Sequence, residues 1–148
     1  MRAATVERAK VPWKVEFRPA CGAWADGLTP DDQETLLAAV NVLRRLGPQL
    51  GRPLVDSIRH SRHSNMRDLR PPSTGSTEVR VLFAFDPIRQ AVLLLGGDKS
   101  GMWAEWYREN VPIADARCDE HFAAMAVART GDETPSPRAA GKRRGRKR

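Results

Sequence analysis

The chain has only two cysteines, one tyrosine and three histidines, and no long apolar run. No stretch approaches the roughly 18 apolar residues that a membrane-spanning helix needs, so no membrane association is expected. Residues 1–10 carry charges but no apolar segment, so no secretory signal is expected either. Cys21 and Cys118 are far apart and lack metal-ligand spacing. Both are expected as free thiols in a reducing cytoplasm, with no metal and no cofactor. Acidic residues are also scarce beside basic ones, 18 against 25, for a net charge of +7. The excess is uneven. From Thr130 to Arg148 there are seven basic residues (Arg138, Lys142, Arg143, Arg144, Arg146, Lys147, Arg148) against Asp132 and Glu133, a net of +5. Such a segment attracts nucleic acid without sequence preference, through counterion release. A contact with nucleic acid or the ribosome is expected there; the plainer alternative is a solvated end that aids solubility.

A chain of 148 residues is expected to form one domain with tails. The boundaries read as a flexible N-terminus over 1–11, a folded domain over 12–129 and a disordered basic tail over 130–148. Trp13 to Phe17 alternates with Lys14 and Glu16 and reads as a first strand. Arg18 to Leu28, with glycine, proline and small residues, reads as a connection. Thr29-Pro30-Asp31-Asp32 is a helix start: a cap, a proline suited to the first position, and two carboxylates at the positive end of the dipole. Leu36, Leu37, Val40, Leu43 and Leu46 repeat at helical spacing and read as one core-facing stripe. Gly47-Pro48 stops the helix. Gln49 to Asn65 is polar and aperiodic and reads as a loop, although Arg59, His60, Arg62 and His63 crowd into it. From Gly101 the pattern is helical again, and Pro112 is expected to divide it into two helices. Trp103 and Trp106 share a helical face, which fits either a cover for a sheet or a platform for bases.

The centre of the chain carries the chemistry. Arg67 to Arg70, Glu78 to Phe85 and Ala91 to Lys99 read as three strands, the last two joined by a turn at Asp86-Pro87. Val79, Val81, Phe83 and Phe85 alternate, so Arg80 points to the other face with Leu82 and Ala84. Leu93-Leu94-Leu95 suits a strand covered on both faces. The expected fold class is α+β: a small, mainly antiparallel sheet of about four strands packed by helices.

Leu69-Arg70, a glycine-containing loop, Val79-Arg80-Val81-Leu82-Phe83 and Leu93-Leu94-Leu95-Gly96-Gly97-Asp98-Lys99 together resemble the RelE/HigB superfamily of toxins from type II toxin–antitoxin systems. Leu69-Arg70-Pro71 and Gly96-Gly97-Asp98-Lys99 resemble its phage-derived, HigB-like branch most. The resemblance covers about residues 13 to 128. It implies a microbial-RNase-like fold and ribosome-dependent cleavage of mRNA, which stops translation. It also implies a cognate antitoxin, a helix-turn-helix protein in this branch, through which the toxin would meet operator DNA. By the same resemblance Arg80 matches the arginine at the scissile phosphate, Lys99 the basic residue closing the last strand, and Leu69-Arg70 the preceding strand. Where RelE has a lysine pair this chain has Met66 and Asp68, and Arg67 is the substitute source of charge. RelE's C-terminal tyrosine falls near Glu105, two residues before Tyr107.

Such cleavage needs a base for the ribose 2′-OH, cationic donors for the phosphorane-like transition state and an acid for the departing 5′ oxygen. Arg70, Arg80 and Lys99 suit the second task, with Arg67 in support. His63 is the first candidate for the proton transfers because histidine titrates nearest neutrality; His60 is the second, and Tyr107 could orient the ribose or act as the acid. Two other functions fit the same residues: a ParE-like toxin that acts on DNA gyrase without nuclease activity, and a non-enzymatic regulatory protein that binds nucleic acid through the basic tail.

Overall fold

The computed structural model of the chain describes residues 11–133. The expected flexible N-terminus lies almost wholly outside the described residues, as does the basic segment from 134 onward.

Five strands form one sheet: β1 (Lys14–Phe17), β2 (Val55–Ser57), β3 (Met66–Leu69), β4 (Val79–Phe85) and β5 (Gln90–Asp98). Their spatial order is β1-β5-β4-β3-β2. β1 pairs with β5 in parallel, and every other pairing is antiparallel. The fold is thus the expected α+β class with a mixed sheet, one strand larger than anticipated. The extra strand is β2, inside the stretch expected to be loop. It has three residues, too few for alternation to register in the sequence.

Three helices complete the fold: α1 (Pro19–Asp26), α2 (Pro30–Leu46) and α3 (Trp103–Glu133). α1 corrects the expectation of a connection. Pro19 occupies its first turn, where a missing N–H costs nothing. α2 begins as its sequence dictates, with Thr29 Oγ1 accepting the Asp32 N–H. Leu36, Val40 and Leu43 from α2 pack with Leu69, Val81, Phe83 and Leu93 into the core on one face of the sheet. Leu37 and Leu46 do not join them; both are exposed, so the buried stripe is narrower than the apolar one.

The second face is also buried. Leu82, Ala84, Val92 and Leu94 are almost fully enclosed. The first part of α3 lies over them: Trp106 against Gly97, and Arg117 donating to the Leu94 carbonyl. α3 corrects the expectation of two helices, because it runs unbroken through Pro112. A proline inside a helix costs about 3 kcal/mol. Burying Trp106 and Val111, at about 1.5–3 kcal/mol each, offsets it. From Cys118 the helix belongs to a separate compact unit and continues to Glu133, beyond the helix end expected near Ala128. Cys21 and Cys118 are both buried, and neither forms a disulfide among the described residues. Among the described residues no helix is long and apolar enough to cross a membrane.

Gly96 and Gly97 are explained by this two-sided burial. Successive strand residues face opposite ways. A Cβ on Gly96 would fall 2.1 Å from the Trp24 ring, and one on Gly97 would fall 2.6 Å from the Trp106 ring. Each glycine seats an indole on its own side of the sheet. Gly96→Ala and Gly97→Ala should therefore each lower stability by about 1–3 kcal/mol, the usual cost of overpacking. Urea denaturation is the check: the midpoint should fall at constant slope, and two unchanged midpoints would mean that neither indole rests on the strand.

Candidate active site

Register places the charged residues. Leu69 pairs with Val81, and both must enter the α2 core. Alternation then sends Asp68 and Arg70 to the α3 side. Asp68 lies opposite Asp56 on β2, and Arg80 lies opposite Gly97 on β5. Lys99, two residues beyond Gly97, follows on the same face. Asp56, Asp68, Arg70, Arg80 and Lys99 thus share one face of the sheet, under the first two turns of α3.

Asp68 is the centre of this group and is only 2% exposed. The Tyr107 hydroxyl donates to its Oδ2 at 2.6 Å. Arg70 Nε stands 3.6 Å from the same oxygen, and Arg70 Nη1 lies 3.2 Å from Asp56 Oδ2. Arg80 Nη1 donates to the Val79 carbonyl of its own strand, while its Nε is buried without a hydrogen-bond partner among the described residues. Asp68 Oδ1 is in the same condition. Buried polar atoms left unpaired are costly, and each calls for a structural or functional reason.

Burial pushes the Asp68 carboxyl up to about 6, against the opposing pull of the Tyr107 hydrogen bond and of Arg70, Arg80 and Lys99. Burial also lowers the Lys99 ammonium, and the neighbouring Arg80 and Arg70 lower it further, while Glu78 and Asp68 raise it. Burial and the Asp68 charge raise the Tyr107 hydroxyl, so it keeps its proton at neutral pH. The Lys99 ammonium is 3.8 Å from the centre of the Trp103 ring and 5.5 Å from that of Tyr107. Lys99 is 1% exposed.

A cavity of about 570 Å³ opens beside the cluster. Asp68, Arg70 and Tyr107 form one wall, and Arg59, His60 and Arg108 add positive or titratable groups. No group of three or more metal-ligating side chains occurs among the described residues.

Of the residues singled out in the sequence, Arg70, Arg80, Lys99 and Tyr107 come together. Arg67 and His63 do not. Arg67 pairs with Phe83, on the opposite face from Asp68, and its guanidinium donates to the carbonyls of Ser64 and Met66. His63 precedes β3 at the end of the sheet where Asn65 reaches the Phe85 carbonyl, away from Arg80 at the start of β4. The histidine on the cavity is His60, held at φ 68°. Its neighbour Arg62 turns instead toward Asp115 on α3, which also accepts from Ser61 Oγ. Asp68 and Arg108 were missed. The available signal for Asp68 was its place two residues before Arg70, which puts both on one strand face.

These convergent cations lie on the α3-covered face of an α+β sheet. The fold is similar to that of Escherichia coli toxin RelE, an arginine double mutant in the free state, with a TM-score of 0.51 at 10% identity over 68% of this chain and 95% of that one. The chain belongs to the phage-derived Gp49-like (DUF891) family, whose pattern matches residues 23–119. It is similar to two candidate toxins of Mycobacterium tuberculosis. HigB2 is 52% identical over 101 residues, 68% of this chain and 50% of that protein. HigB3 is 47% identical over 105 residues, 71% of this chain and 90% of that protein. The chain therefore spans about half the length of HigB2 and most of HigB3. The resemblance read from the motifs, to the phage-derived HigB-like branch, agrees with these relatives.

The raised carboxyl has a consequence for stability. The folded state holds the Asp68 proton more tightly than the unfolded chain, where the group titrates near 3.8. The stability this proton contributes is complete below about pH 4 and is lost as pH rises through about 6. Asp68→Asn, neutral throughout, should be more stable than the wild type by about 1–3 kcal/mol at about pH 8, with no advantage near pH 4. Urea midpoints at the two pH values test this; a variant less stable at the higher pH would show the ionised carboxylate to be a net stabiliser.

Proposed function

We propose that this chain is the toxin of a toxin–antitoxin pair and that it cleaves mRNA on the ribosome. The observation that carries the reading is the convergence of Arg70, Arg80 and Lys99 around one buried carboxylate on a single sheet face. The names of its relatives as toxins support the biological role.

The chemistry follows from the groups present. Asp68, poised near pH 6, takes the proton of the ribose 2′-OH. The 2′ oxygen bonds to the adjacent phosphorus, and the bond from phosphorus to the 5′ oxygen breaks. Tyr107, which keeps its proton at neutral pH and already touches Asp68, donates to the departing oxygen. His60, on the cavity wall, is the alternative donor. Arg70, Arg80 and Lys99 stabilise the additional negative charge on the phosphorane, with arginine supplying planar, paired donors. In the absence of substrate, Arg70 is occupied by Asp56 and Asp68. Positioning of the mRNA by the ribosome would supply the binding energy needed to displace these contacts, so weak activity on free RNA is expected. The partner that silences the toxin is a cognate antitoxin, of helix-turn-helix type in this branch, which would also bring it to operator DNA. The basic segment beyond residue 134 is suited to rRNA or DNA backbone.

Induced expression followed by mapping of mRNA 5′ ends tests the reading. The wild type should produce cuts in phase with codons, and Arg80→Ala and Lys99→Ala should each reduce them by about 10²–10³-fold, the usual loss for one transition-state donor. Growth arrest with DNA damage and no cuts would contradict it in favour of a gyrase-directed toxin. Absence of toxicity, with DNA binding that depends on the basic tail, would contradict it in favour of a regulatory protein.

A further inference from the structure

The two tryptophans that open α3 have separate fates. Trp106 is 9% exposed and fills the space left by Gly97, so the core role is taken. Trp103 is 60% exposed, although it stands directly over the Lys99 ammonium. One side of its ring meets the cation and covers it; Lys99 is almost wholly enclosed. The rest of the ring meets solvent, beside the half-exposed Met102. A large rigid aromatic kept in water next to a phosphate-binding cation is the arrangement by which proteins hold single-stranded nucleic acid, with a base on the ring and its backbone on the charge.

We propose that Trp103 is the platform on which a base of the RNA substrate stacks, next to a phosphate held beside Arg80, with the Lys99 charge beneath the ring. This rests on the nuclease reading and extends it to how the substrate is gripped. The indole serves both partners. Its inner side attracts the ammonium through the ring quadrupole, at a separation well inside the range of about 6 Å where that attraction operates. Its outer side offers an apolar surface that accepts any base and favours the larger purines. Met102 extends that surface toward the neighbouring nucleotide. The cation beneath fixes the ring's position in the absence of RNA, so little ordering is left for binding to impose.

The test is a binding cycle with a 2′-O-methylated RNA trinucleotide, which cannot be cleaved, followed by NMR or calorimetry at up to millimolar ligand. Trp103→Leu should weaken binding roughly tenfold to hundredfold, and Trp103→Phe should restore most of it. A trinucleotide series with one base removed at each position in turn should include one that binds the wild type more weakly by a similar factor. That abasic ligand should bind Trp103→Leu no worse than the intact ligand does. Trp103→Phe, which keeps an aromatic face over Lys99, should hold the wild-type melting temperature, and Trp103→Leu, which loses that face, should stay folded with a slightly lower one. Equal affinity of Trp103→Leu and wild type overturns the proposal, as does an abasic penalty that persists at every position in Trp103→Leu, or no binding by the wild type at millimolar ligand. The outcome separates from that of the cleavage reading. Ring-dependent binding without codon-phased cuts leaves the platform standing and removes the nuclease. Cuts with ring-independent binding do the reverse.

Discussion

A carboxylate enclosed with three cations is the constraint on which this structure turns. Asp68 sits on the inner side of a sheet covered on both faces, where an isolated charge would be costly. It is tolerated because Tyr107 donates to it and because Arg70, Arg80 and Lys99 surround it. The same group holds the cations together, since three positive charges on one face would otherwise repel one another. Burial still wins over this support, and the carboxyl is left titrating near 6. A group with that property can give and take a proton under physiological conditions.

The remainder of the fold holds these five side chains in place. Core packing against α2 fixes the register of β3 and β4, and register fixes which side each charge occupies. The glycine pair lets α1 and α3 approach opposite faces of β5 through Trp24 and Trp106. That approach brings Tyr107 down to Asp68 and Trp103 over Lys99. The loop before β3 is tied to α3 through Asp115, which accepts from Ser61 and the Arg62 N–H. His60 is held on the cavity by that loop. Stability and site geometry are therefore carried by the same contacts, while the charge cluster itself works against stability at neutral pH. Such a conflict is common where function needs a strained electrostatic environment.

Much of this was legible in the sequence, for one reason: alternation. Val79, Val81, Phe83 and Phe85 declared which face of β4 was core, and that placed Arg80 opposite. Lys99 was legible only as the residue closing the last strand; its side follows from the pairing of Arg80 with Gly97. Asp68 escaped notice because an aspartate in a short strand reads as solvent-exposed unless a helix is known to cover that face, and the covering helix comes 35 residues later, at Trp103. Arg67 was chosen for its charge, yet it differs from Asp68 by one strand position, and one position reverses the face. Between His60 and His63 only the loop's path decides, and that path depends on a left-handed residue and a contact with Asp115. β1 paired in parallel with β5 across most of the chain, a long-range choice with no local signature. Pro112 reads as a break in any local view; burial of the helix around it is what overrides the rule.

The most direct measurement is the titration of the Asp68 carboxyl, followed by carbon NMR in the wild type and in Arg80→Ala. The inflection should lie near 6 in the wild type and higher in the variant, because Arg80 holds the group down. An inflection near the ordinary aspartate value of about 3.9, unmoved by loss of Arg80, would contradict it. The carboxylate would then be solvated and independent of the arginine, and no shared site would exist.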